Sequence, residues 1–167
     1  MKKILLLSDT HGYLDDRIIE HCSDADEVWH AGDWGEGVAQ QLEKNFVVRG
    51  VFGNIDGKYI REKYPEHLRF KAEGLDVFIT HIGGYPGNYD FRVREEIKNH
   101  PPQLFICGHS HILKIMYDDK LKLLHINPGA AGKHGFHIMR TMVRFQIENG
   151  MVKNPEVIEL GKRNSIS

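Results

Sequence analysis

Five short segments that carry metal-ligand residue types constrain the fold of this chain more than any other feature of its sequence. Each segment begins where a run of apolar residues ends, so each is expected to follow a β-strand directly. In α/β proteins the carboxyl ends of the strands form the functional edge of the sheet, and we expect the segments to meet there. They are Asp9-Thr10-His11, Gly32-Asp33, Gly53-Asn54-Ile55-Asp56, Thr80-His81 and Gly108-His109-Ser110-His111.

The first half of the chain alternates predicted strands with predicted helices. The continuous apolar run over residues 4–7 is typical of a strand that is buried on both faces. Strand–helix–strand repeats joined by short loops indicate a parallel α/β sheet. The predicted elements of this half are strands over 3–7, 27–30 and 46–51 and helices over 14–22 and 38–43.

Turn signals between short apolar segments predict β-hairpins in the second half of the chain. The strongest signal is Asn149-Gly150, because both residues accept the left-handed backbone of a tight turn. A helix predicted over 91–99 is stopped by Pro101 and Pro102. The predicted strands of this half cover 67–72, 76–80, 104–107, 113–117, 121–126, 139–147 and 152–160.

Together these elements predict an α/β fold in which two sheets pack face to face with helices outside. The chain contains no internal repeat and no linker that would divide it. We therefore expect a single domain over residues 1–161, followed by a flexible polar tail over 162–167.

The bulk composition excludes several classes of protein. Hydrophobic residues make up 41% and charged residues 27% of the 167 residues, and the net charge is -1, as in an ordinary globular domain. The basic residues form no run, which argues against an extended nucleic-acid surface, and no apolar stretch is long enough to cross a membrane. Cys22 and Cys107 are expected on a helix and a buried strand rather than in a disulfide, so we expect a reduced, cytoplasmic protein.

Taken singly, each ligand segment has an ordinary alternative. Asp9 and Asp33 could cap helices, Asn54 could stabilise a turn, and His81 could be a buried structural histidine. In an extended segment, residues two apart face the same side, so Asp9 and His11 are expected to chelate one ion together. Asp33 is the candidate bridge between two ions, because a carboxylate has two oxygens.

Taken jointly, the segments predict a metal site. His109 and His111 follow a strand and a glycine, and their spacing is expected to present both rings to one side. The full set comprises two carboxylates, one amide oxygen and four imidazoles, which is too many for one ion and suits two ions that share a ligand. A two-metal site indicates hydrolysis of phosphate esters by a metal-bound hydroxide.

The ordered motifs also resemble those of a known family. Asp-x-His, Gly-Asp, Gly-Asn-x-Asp, Thr-His and Gly-His-x-His are similar to the motifs of the calcineurin-like metallophosphoesterase superfamily. Chain length and motif order resemble its small bacterial and archaeal phosphodiesterase branch, and the resemblance covers residues 2–129. It implies a four-layer αββα sandwich with two mixed sheets, a small phosphodiester substrate attacked by a metal-bridging hydroxide, and a homodimer.

The resemblance further implies how the ligands divide between the two ions. One ion would be held by Asp9, His11, Asp33 and His111, and the other by Asp33, Asn54, His81 and His109. Asp33, Asn54 and His109 are the candidate catalytic residues of this set. Mn²⁺ is the expected ion, with Fe, Ni, Co and Zn as alternatives, because mixed oxygen and nitrogen ligands fit all of them.

One position departs from the family pattern. Many superfamily members have a histidine after the asparagine of the third motif, which is thought to protonate the leaving oxygen, and this chain has Ile55. An isoleucine cannot donate a proton, so we expect activity to be greatest on diesters with good leaving groups, such as aryl esters. The small phosphodiesterase branch also commonly lacks this histidine. His134 or His137 could supply a substitute acid, although surface histidines in a glycine-rich loop have a simpler interpretation.

Two more residues are candidates for supporting roles around the site. Asp56 either orients a ligand histidine or stabilises its own turn. His30 precedes the segment of the candidate bridge and either contributes to the site or packs beneath it.

Other functions stay open at the level of sequence. A phosphomonoesterase or nucleotide pyrophosphatase would use the same ligands, although Ile55 argues against the former. The superfamily also contains a retromer subunit that acts through protein contacts, so a non-catalytic scaffold on the same fold is a further alternative. The seven ligand positions all carry competent residues, which a scaffold does not need.

Overall fold

The computed structural model describes residues 1–164 and shows an α/β fold of four layers. Two five-stranded mixed sheets pack face to face, and helices cover their outer faces. This confirms the αββα sandwich expected from the sequence. In chain order the elements are β1 (Lys2–Leu7), α1 (Asp16–Ser23), β2 (Glu27–His30), α2 (Val38–Glu43), β3 (Val48–Gly50), α3 (Lys58–Lys63), β4 (His67–Ala72), β5 (Leu75–Thr80), β6 (Gly84–Tyr85), β7 (Asn88–Tyr89), α4 (Arg94–Asn99), β8 (Leu104–Ile106), β9 (Lys114–Asp118), β10 (Leu123–Asn127), β11 (Met139–Glu148) and β12 (Met151–Lys162).

Parallel strands occupy the part of each sheet that leads to the predicted site. The first sheet has the order β12-β11-β1-β2-β3, in which β1, β2 and β3 are parallel. The second has the order β4-β5-β8-β10-β9, in which β5, β8 and β10 are parallel. Antiparallel strands lie on both sides of each parallel set, except beside β3, which is the edge strand of the first sheet. The five ligand segments directly follow the carboxyl ends of β1, β2, β3, β5 and β8, or come within a few residues of them.

The apolar run of β1 is buried on both faces, as its sequence predicts. Ile4 and Leu6 enter the core between the two sheets, while Leu5 and Leu7 pack under the helices of the first sheet. All four side chains are at most 1% exposed. Removing one such side chain from water stabilises the fold by about 1.5–3 kcal/mol.

Aromatic side chains fill the space between the sheets. The Trp29 ring meets Phe70 and Phe145 edge to face, with centroid distances of 5.1 and 5.8 Å. This geometry places the positive edge of one ring on the negative face of the next. The two sheets are therefore joined by a well-packed aromatic cluster below the rim that holds the ligand segments.

The observed caps of α1 and α2 exclude helix capping as the role of the acidic ligand candidates. Helix α1 is capped by Asp15, whose carboxylate accepts a hydrogen bond from the Ile18 N–H at 3.0 Å. Helix α2 follows Gly37 and has no side-chain cap. Asp9 and Asp33 therefore do not cap these helices.

The observed elements agree with the predicted ones except at several ends and in two places. Helix α3 was not predicted because Ile60 is its only buried residue, so its sequence has no apolar periodicity. The short β6–β7 hairpin was also not predicted. Strand β12 continues through Lys162, one residue into the predicted tail, and residues 165–167 of that tail lie outside the described residues.

Two further observations concern the helices and the cysteines. Within residues 1–164, no helix is long and apolar enough to cross a membrane. Cys22 and Cys107 are both buried and free, as expected from their predicted positions.

Glu27 should make the stability of this fold depend on pH. Its buried carboxylate accepts hydrogen bonds from Lys2 (2.6 Å), Trp29 (3.0 Å) and Arg49 (2.7 Å). Burial alone would raise the pKa of Glu27, but these donors lower it below the ordinary value of 4.5. A lowered pKa means that the stabilisation is complete above pH 4.5 and is lost as the pH falls through the folded-state pKa.

We therefore expect Glu27→Gln to reduce the free energy of unfolding by roughly 1–3 kcal/mol at pH 7 and by clearly less at pH 3. Urea titrations of both proteins at the two pH values measure the difference. An equal loss at pH 7 and pH 3 would contradict the assigned role of the charge.

Candidate metal centre

The ligand segments meet at one rim of the sandwich and are held there by backbone hydrogen bonds. In the first sheet, the Asp9 N–H donates to the carbonyl oxygen of Gly32 at 3.0 Å. In the second sheet, the Gly108 N–H donates to the carbonyl oxygen of His81 at 2.9 Å. Strand pairing thus continues past the strand ends, and it fixes the loops before any ligand binds.

Most ligand side chains leave the backbone at residues in the left-handed region. A non-glycine residue in this region costs about 1–2 kcal/mol, so its repeated use at one site indicates that the loop shape serves the side chains. The expectation that Asp9 and His11 lie in an extended segment is wrong, because a left-handed turn brings them together. The residues and their φ angles are Asp9 (54°), His11 (45°), Asp33 (57°), His109 (70°) and His111 (62°).

The first group of ligand atoms consists of Asp9, His11 and His111. Asp9 Oδ1 lies 3.1 Å from His111 Nε2 and 3.8 Å from His11 Nε2. Two ligands that each lie about 2.1 Å from one ion at a right angle are about 3 Å apart, so these separations suit a shared ion.

The second group consists of Asp33, His81 and His109. Asp33 Oδ2 lies 3.2 Å from His81 Nε2. Asn54 joins this group, because its Oδ1 lies 3.1 Å from His109 Nδ1. His109 and His111 thus belong to different groups, as the family resemblance implied, and both rings line the same cavity.

His81 is oriented by a backbone carbonyl. Its Nδ1 lies 2.7 Å from the carbonyl oxygen of Ala31, which can only accept, so Nδ1 carries a proton. Nε2 is then the atom directed at the ligand groups. A carbonyl that fixes the ring in this way is a common device beneath metal-binding histidines.

Asp33 connects the two groups through a single oxygen. Its Oδ2 lies 3.2 Å from His81 Nε2 and 3.5 Å from His11 Nε2. Its Oδ1 instead accepts a hydrogen bond from the Ile55 N–H at 3.0 Å. The position suits a bridge, but one made by one oxygen rather than by the two oxygens that the sequence argument invoked.

Three buried ligand atoms have no hydrogen-bond partner among the described residues: Asp9 Oδ1, His11 Nε2 and His81 Nε2. An unsatisfied buried polar atom costs about 1–3 kcal/mol, so three at one point indicate a missing partner. Oxygen and nitrogen donors of this kind fit a divalent transition-metal ion. The residues present therefore suit the metals that the sequence predicts.

The carboxylates of the site are held in the charged form. Burial alone would raise the pKa of Asp9, but His11, His111, His81 and Ser8 lower it well below its usual range. Asp33 shows the same balance: burial opposes ionisation, and His81 with the Ile55 N–H lowers the pKa below its ordinary value.

The histidines of the second group respond in opposite directions. Burial alone would lower the pKa of His81, but Asp33 and Asp9 raise it above its ordinary value. Burial and the neighbouring His81 charge lower the pKa of His109.

His30 supports the ligand loops from below. The Gly32 N–H donates to its Nδ1 at 3.1 Å, so the proton lies on Nε2, which faces Thr10 Oγ1 at 3.0 Å. Its ring stacks on Trp34 at a centroid distance of 4.0 Å. Burial lowers the pKa of His30 to about 3, so the ring is neutral. Since His30 is fully buried, it packs beneath the site.

Asp56 joins two ligand loops. Its carboxylate accepts backbone hydrogen bonds from Gly53 (2.8 Å), Trp34 (3.2 Å) and Gly35 (3.1 Å). Of the two alternatives for this residue, these contacts favour turn stabilisation over the orientation of a histidine. The bonds from Trp34 and Gly35 show that Asp56 also stabilises the neighbouring loop, which carries Asp33.

His134 and His137 lie on the wall of the site formed by the loop between β10 and β11. The exposed His134 ring stacks on His11 at a centroid distance of 4.6 Å. His137 donates from Nε2 to the carbonyl oxygen of Gly132 at 2.8 Å, and its ring edge meets His111. Both histidines reach the first ligand group, and a role for His134 in proton transfer stays a prediction.

Two further residues support the ligand loops, and sequence reasoning missed the role of Ser8. Ser8 donates to Asp9 Oδ2 at 2.6 Å, next to the His109 N–H at 3.1 Å. Asn127 donates to the carbonyl oxygen of Gly108 at 3.1 Å and so holds the loop of the two histidines. A hydroxyl directly before a ligand carboxylate was the available signal for Ser8.

The ligand groups open into a cavity of 530 Å³ at the rim. Asp33 and the ligand histidines 11, 109 and 111 line its floor. Asn54 and His109 are exposed and face this opening, so they lie where a substrate would approach.

Comparison with known proteins identifies the family of this chain. Residues 1–150 match the model of the calcineurin-like phosphoesterase superfamily domain. A probable metallophosphoesterase of Mycoplasma pneumoniae is 28% identical over 137 residues, which cover 78% of this chain and 79% of that protein.

Solved structures share the fold over nearly the whole chain. An archaeal phosphodiesterase is 26% identical, with a TM-score of 0.75 and coverage of 95% of this chain and 99% of its own. Vps29 of Entamoeba histolytica in complex with Zn²⁺ is 16% identical, with a TM-score of 0.70 and coverage of 94% and 98%. At 16% identity, the similarity to Vps29 shows only that the fold is shared.

Gly53 should be required for metal binding because of its contact with Asp33. A Cβ at position 53 would overlap the Asp33 carboxylate and N–H, so Gly53→Ala should displace that carboxylate. Gly57→Ala is the matched control, since the same loop has open space there and an ordinary φ of -93°.

We expect Gly53→Ala to lose Mn²⁺ affinity by roughly 10- to 100-fold and Gly57→Ala to keep it. Isothermal titration calorimetry on chelator-stripped proteins measures the affinities, and circular dichroism checks that both variants fold. Equal affinities in a folded Gly53→Ala variant would show that the loop contact is unimportant.

Proposed function

The chain belongs to the calcineurin-like phosphoesterase superfamily, and we propose that within it the protein is a dinuclear-metal phosphodiesterase. The observation that carries this proposal is the position of Asp33 Oδ2, which lies within 3.5 Å of a ligand nitrogen in each group. A ligand shared in this way suits two ions held side by side, as in known two-metal hydrolases.

The two groups of ligand atoms support a proposed division of the ligands between two ions. Asp9, His11, Asp33 and His111 would hold the first ion, and Asp33, Asn54, His81 and His109 the second. When bound, two divalent ions lower the pKa of the attacking water and stabilise negative charge on the phosphate oxygens. We propose Mn²⁺ as the ion, while Fe, Ni, Co and Zn also fit these donors.

The charge of the site favours a phosphodiester over a monoester. Two divalent ions outweigh the charges of Asp9 and Asp33, so the site attracts a monoanion. Among the described residues that line the cavity there is no lysine or arginine. A second negative charge on a monoester dianion would therefore meet no lysine or arginine in this cavity, since Arg92 and Lys114 line an adjoining cleft.

Ile55 limits the leaving groups that the site can expel. Its side chain is 48% exposed and lines the cavity beside Asn54. In hydrolysis, the oxygen of water bonds to phosphorus, and the bond to the leaving oxygen breaks with both electrons on that oxygen. Ile55 has no proton to give, so a leaving group that is stable as an anion, such as an aryloxide, is favoured.

A non-catalytic scaffold is the main alternative, because the chain shares its fold with Vps29. The ligand residues would also serve a phosphomonoesterase or nucleotide pyrophosphatase. The unpaired buried ligand atoms support an enzyme, because a scaffold would gain stability by replacing them.

We extend the proposal to a cytoplasmic location, which suits two free buried thiols. A homodimer stays a prediction from the family resemblance.

Metal removal and replacement tests the proposed activity directly. Protein stripped by chelator should lose hydrolysis of bis(p-nitrophenyl) phosphate, and Mn²⁺ should restore it. Activity on p-nitrophenyl phosphate should be lower, because the site lacks a partner for the second charge. Asp33→Asn should reduce the restored rate roughly 100-fold or more, since the shared ligand is weakened. A diesterase rate that survives chelation, or absence of activity with every metal, would contradict the proposal.

Replacing Ile55 tests the leaving-group argument. Ile55→His should raise the rate on an alkyl diester relative to an aryl diester by roughly 10- to 100-fold, because a histidine there can protonate the leaving oxygen. Rates on methyl p-nitrophenyl phosphate and dimethyl phosphate give the ratio, and Ile55→Gln controls for polarity without a titrating group. A wild-type enzyme that already cleaves both esters at similar rates would refute the argument.

A further inference from the structure

An apolar rim surrounds the cavity of the metal centre. Ile55, Ile112 and Phe136 all line this cavity. They come from three separate loops, after β3, after β8 and between β10 and β11. Their side chains are 48%, 62% and 101% exposed, so little of this apolar surface is buried by the chain itself.

The rim lies on both sides of the ligand groups. Phe136 follows Gly135, which is so close to His111 that a Cβ at position 135 would overlap the imidazole of the first group. Ile55 follows Asn54, which contacts His109 of the second group. A phosphate placed over the two groups would therefore have apolar side chains near both ends.

Charge distinguishes this rim from a site for nucleotides or other polyanions. The described lining residues include histidines and one aspartate but no lysine or arginine. A second phosphate or a polynucleotide backbone would need such cations beyond the metal ions. Arg92 and Lys114 line an adjoining cleft instead. Within the cavity of the metal centre, the side chains that accompany the polar ligand residues are apolar, which is typical of pockets that bind neutral organic groups.

We propose that Ile55, Ile112 and Phe136 bind the two organic substituents of the substrate, which is a monoanionic phosphodiester of apolar or aromatic alcohols. This inference rests on the proposed diesterase function and names its substrate class. Contact with an apolar substituent removes both surfaces from water, and this gain is the reason for the exposed side chains.

A substrate series with a constant leaving group tests the proposal. The p-nitrophenyl diesters of methanol, butanol and phenol and of the 5′-hydroxyl of thymidine differ only in the retained group. With the Mn²⁺-loaded protein, kcat/KM for the phenyl ester should exceed that for the methyl ester roughly tenfold, and the thymidine ester should gain less.

Exposed positions allow variants that are expected to fold. In Phe136→Ser and Ile112→Ser the phenyl-to-methyl ratio should fall to roughly one-third of its wild-type value or lower, chiefly through KM. Val47→Ser is the matched control: Val47 is 59% exposed, it precedes the amino end of β3, away from the site, and the variant should keep the ratio. A ratio near one in the wild type, or one unchanged in both rim variants, would overturn the proposal.

An inert ligand separates this inference from the proposed activity. Diphenylphosphinate and dimethylphosphinate are monoanions whose phosphorus–carbon bonds cannot be hydrolysed. The Mn²⁺-loaded protein should bind the diphenyl compound roughly tenfold more tightly, and Phe136→Ser should remove most of this difference. If no diester is hydrolysed but this preference holds, the rim binds apolar groups and only the activity fails. Equal affinities would overturn the inference even if diesters are cleaved, and would make the rim a surface for another partner.

Discussion

The structure depends on the burial of two carboxylates, Asp9 and Asp33, close together at the end of one sheet. Like charges in a low-dielectric site repel each other, and burial opposes the ionisation of both groups. The surrounding chain stabilises the two negative charges with hydrogen-bond donors. Ser8 and the His109 N–H donate to Asp9, and the Ile55 N–H donates to Asp33. Asp9 Oδ1 has no hydrogen-bond partner among the described residues, and Asp33 Oδ2 faces the ligand nitrogens of His81 and His11. The scaffold thus stabilises the negative charge only in part and leaves the rest to cations.

Glycines set how closely the loops of the rim can approach each other. A Cβ at Gly108 would overlap Ser8, and a Cβ at Gly132 would overlap the carbonyl oxygen of Thr10. Packing at this distance leaves little room for the side chains to take other rotamers. The left-handed residues and the close glycine contacts together hold the ligand atoms in place without a bound ion, which is the pre-organisation that electrostatic catalysis requires.

The sequence predicted the order of most elements, because apolar runs and turn residues mark the long buried strands and their hairpins, although the short β6–β7 hairpin escaped prediction. The ligand segments were placed at strand ends by the same signals. The backbone of those segments could not be predicted, because the left-handed conformation of Asp9 or His111 has no signature when the residue is not glycine. Helix α3 escaped prediction because only Ile60 of its residues is buried. The contacts of Asp56 could not be predicted either, because they form only where two loops meet in space. Asp56 and its partner Trp34 are 22 residues apart in the chain.

The backbone hydrogen bonds that join the ligand loops have a consequence for how such a protein can change over time. Because main-chain hydrogen bonds also hold the rim together, replacing a ligand histidine such as His11 removes a metal ligand and leaves those bonds in place. The unpaired buried atoms of Asp9, His11 and His81 lower the free energy of unfolding, because they lose their hydrogen bonds to water on folding. A lineage could therefore lose the metals by drift, remain folded, and recruit the same rim for another task.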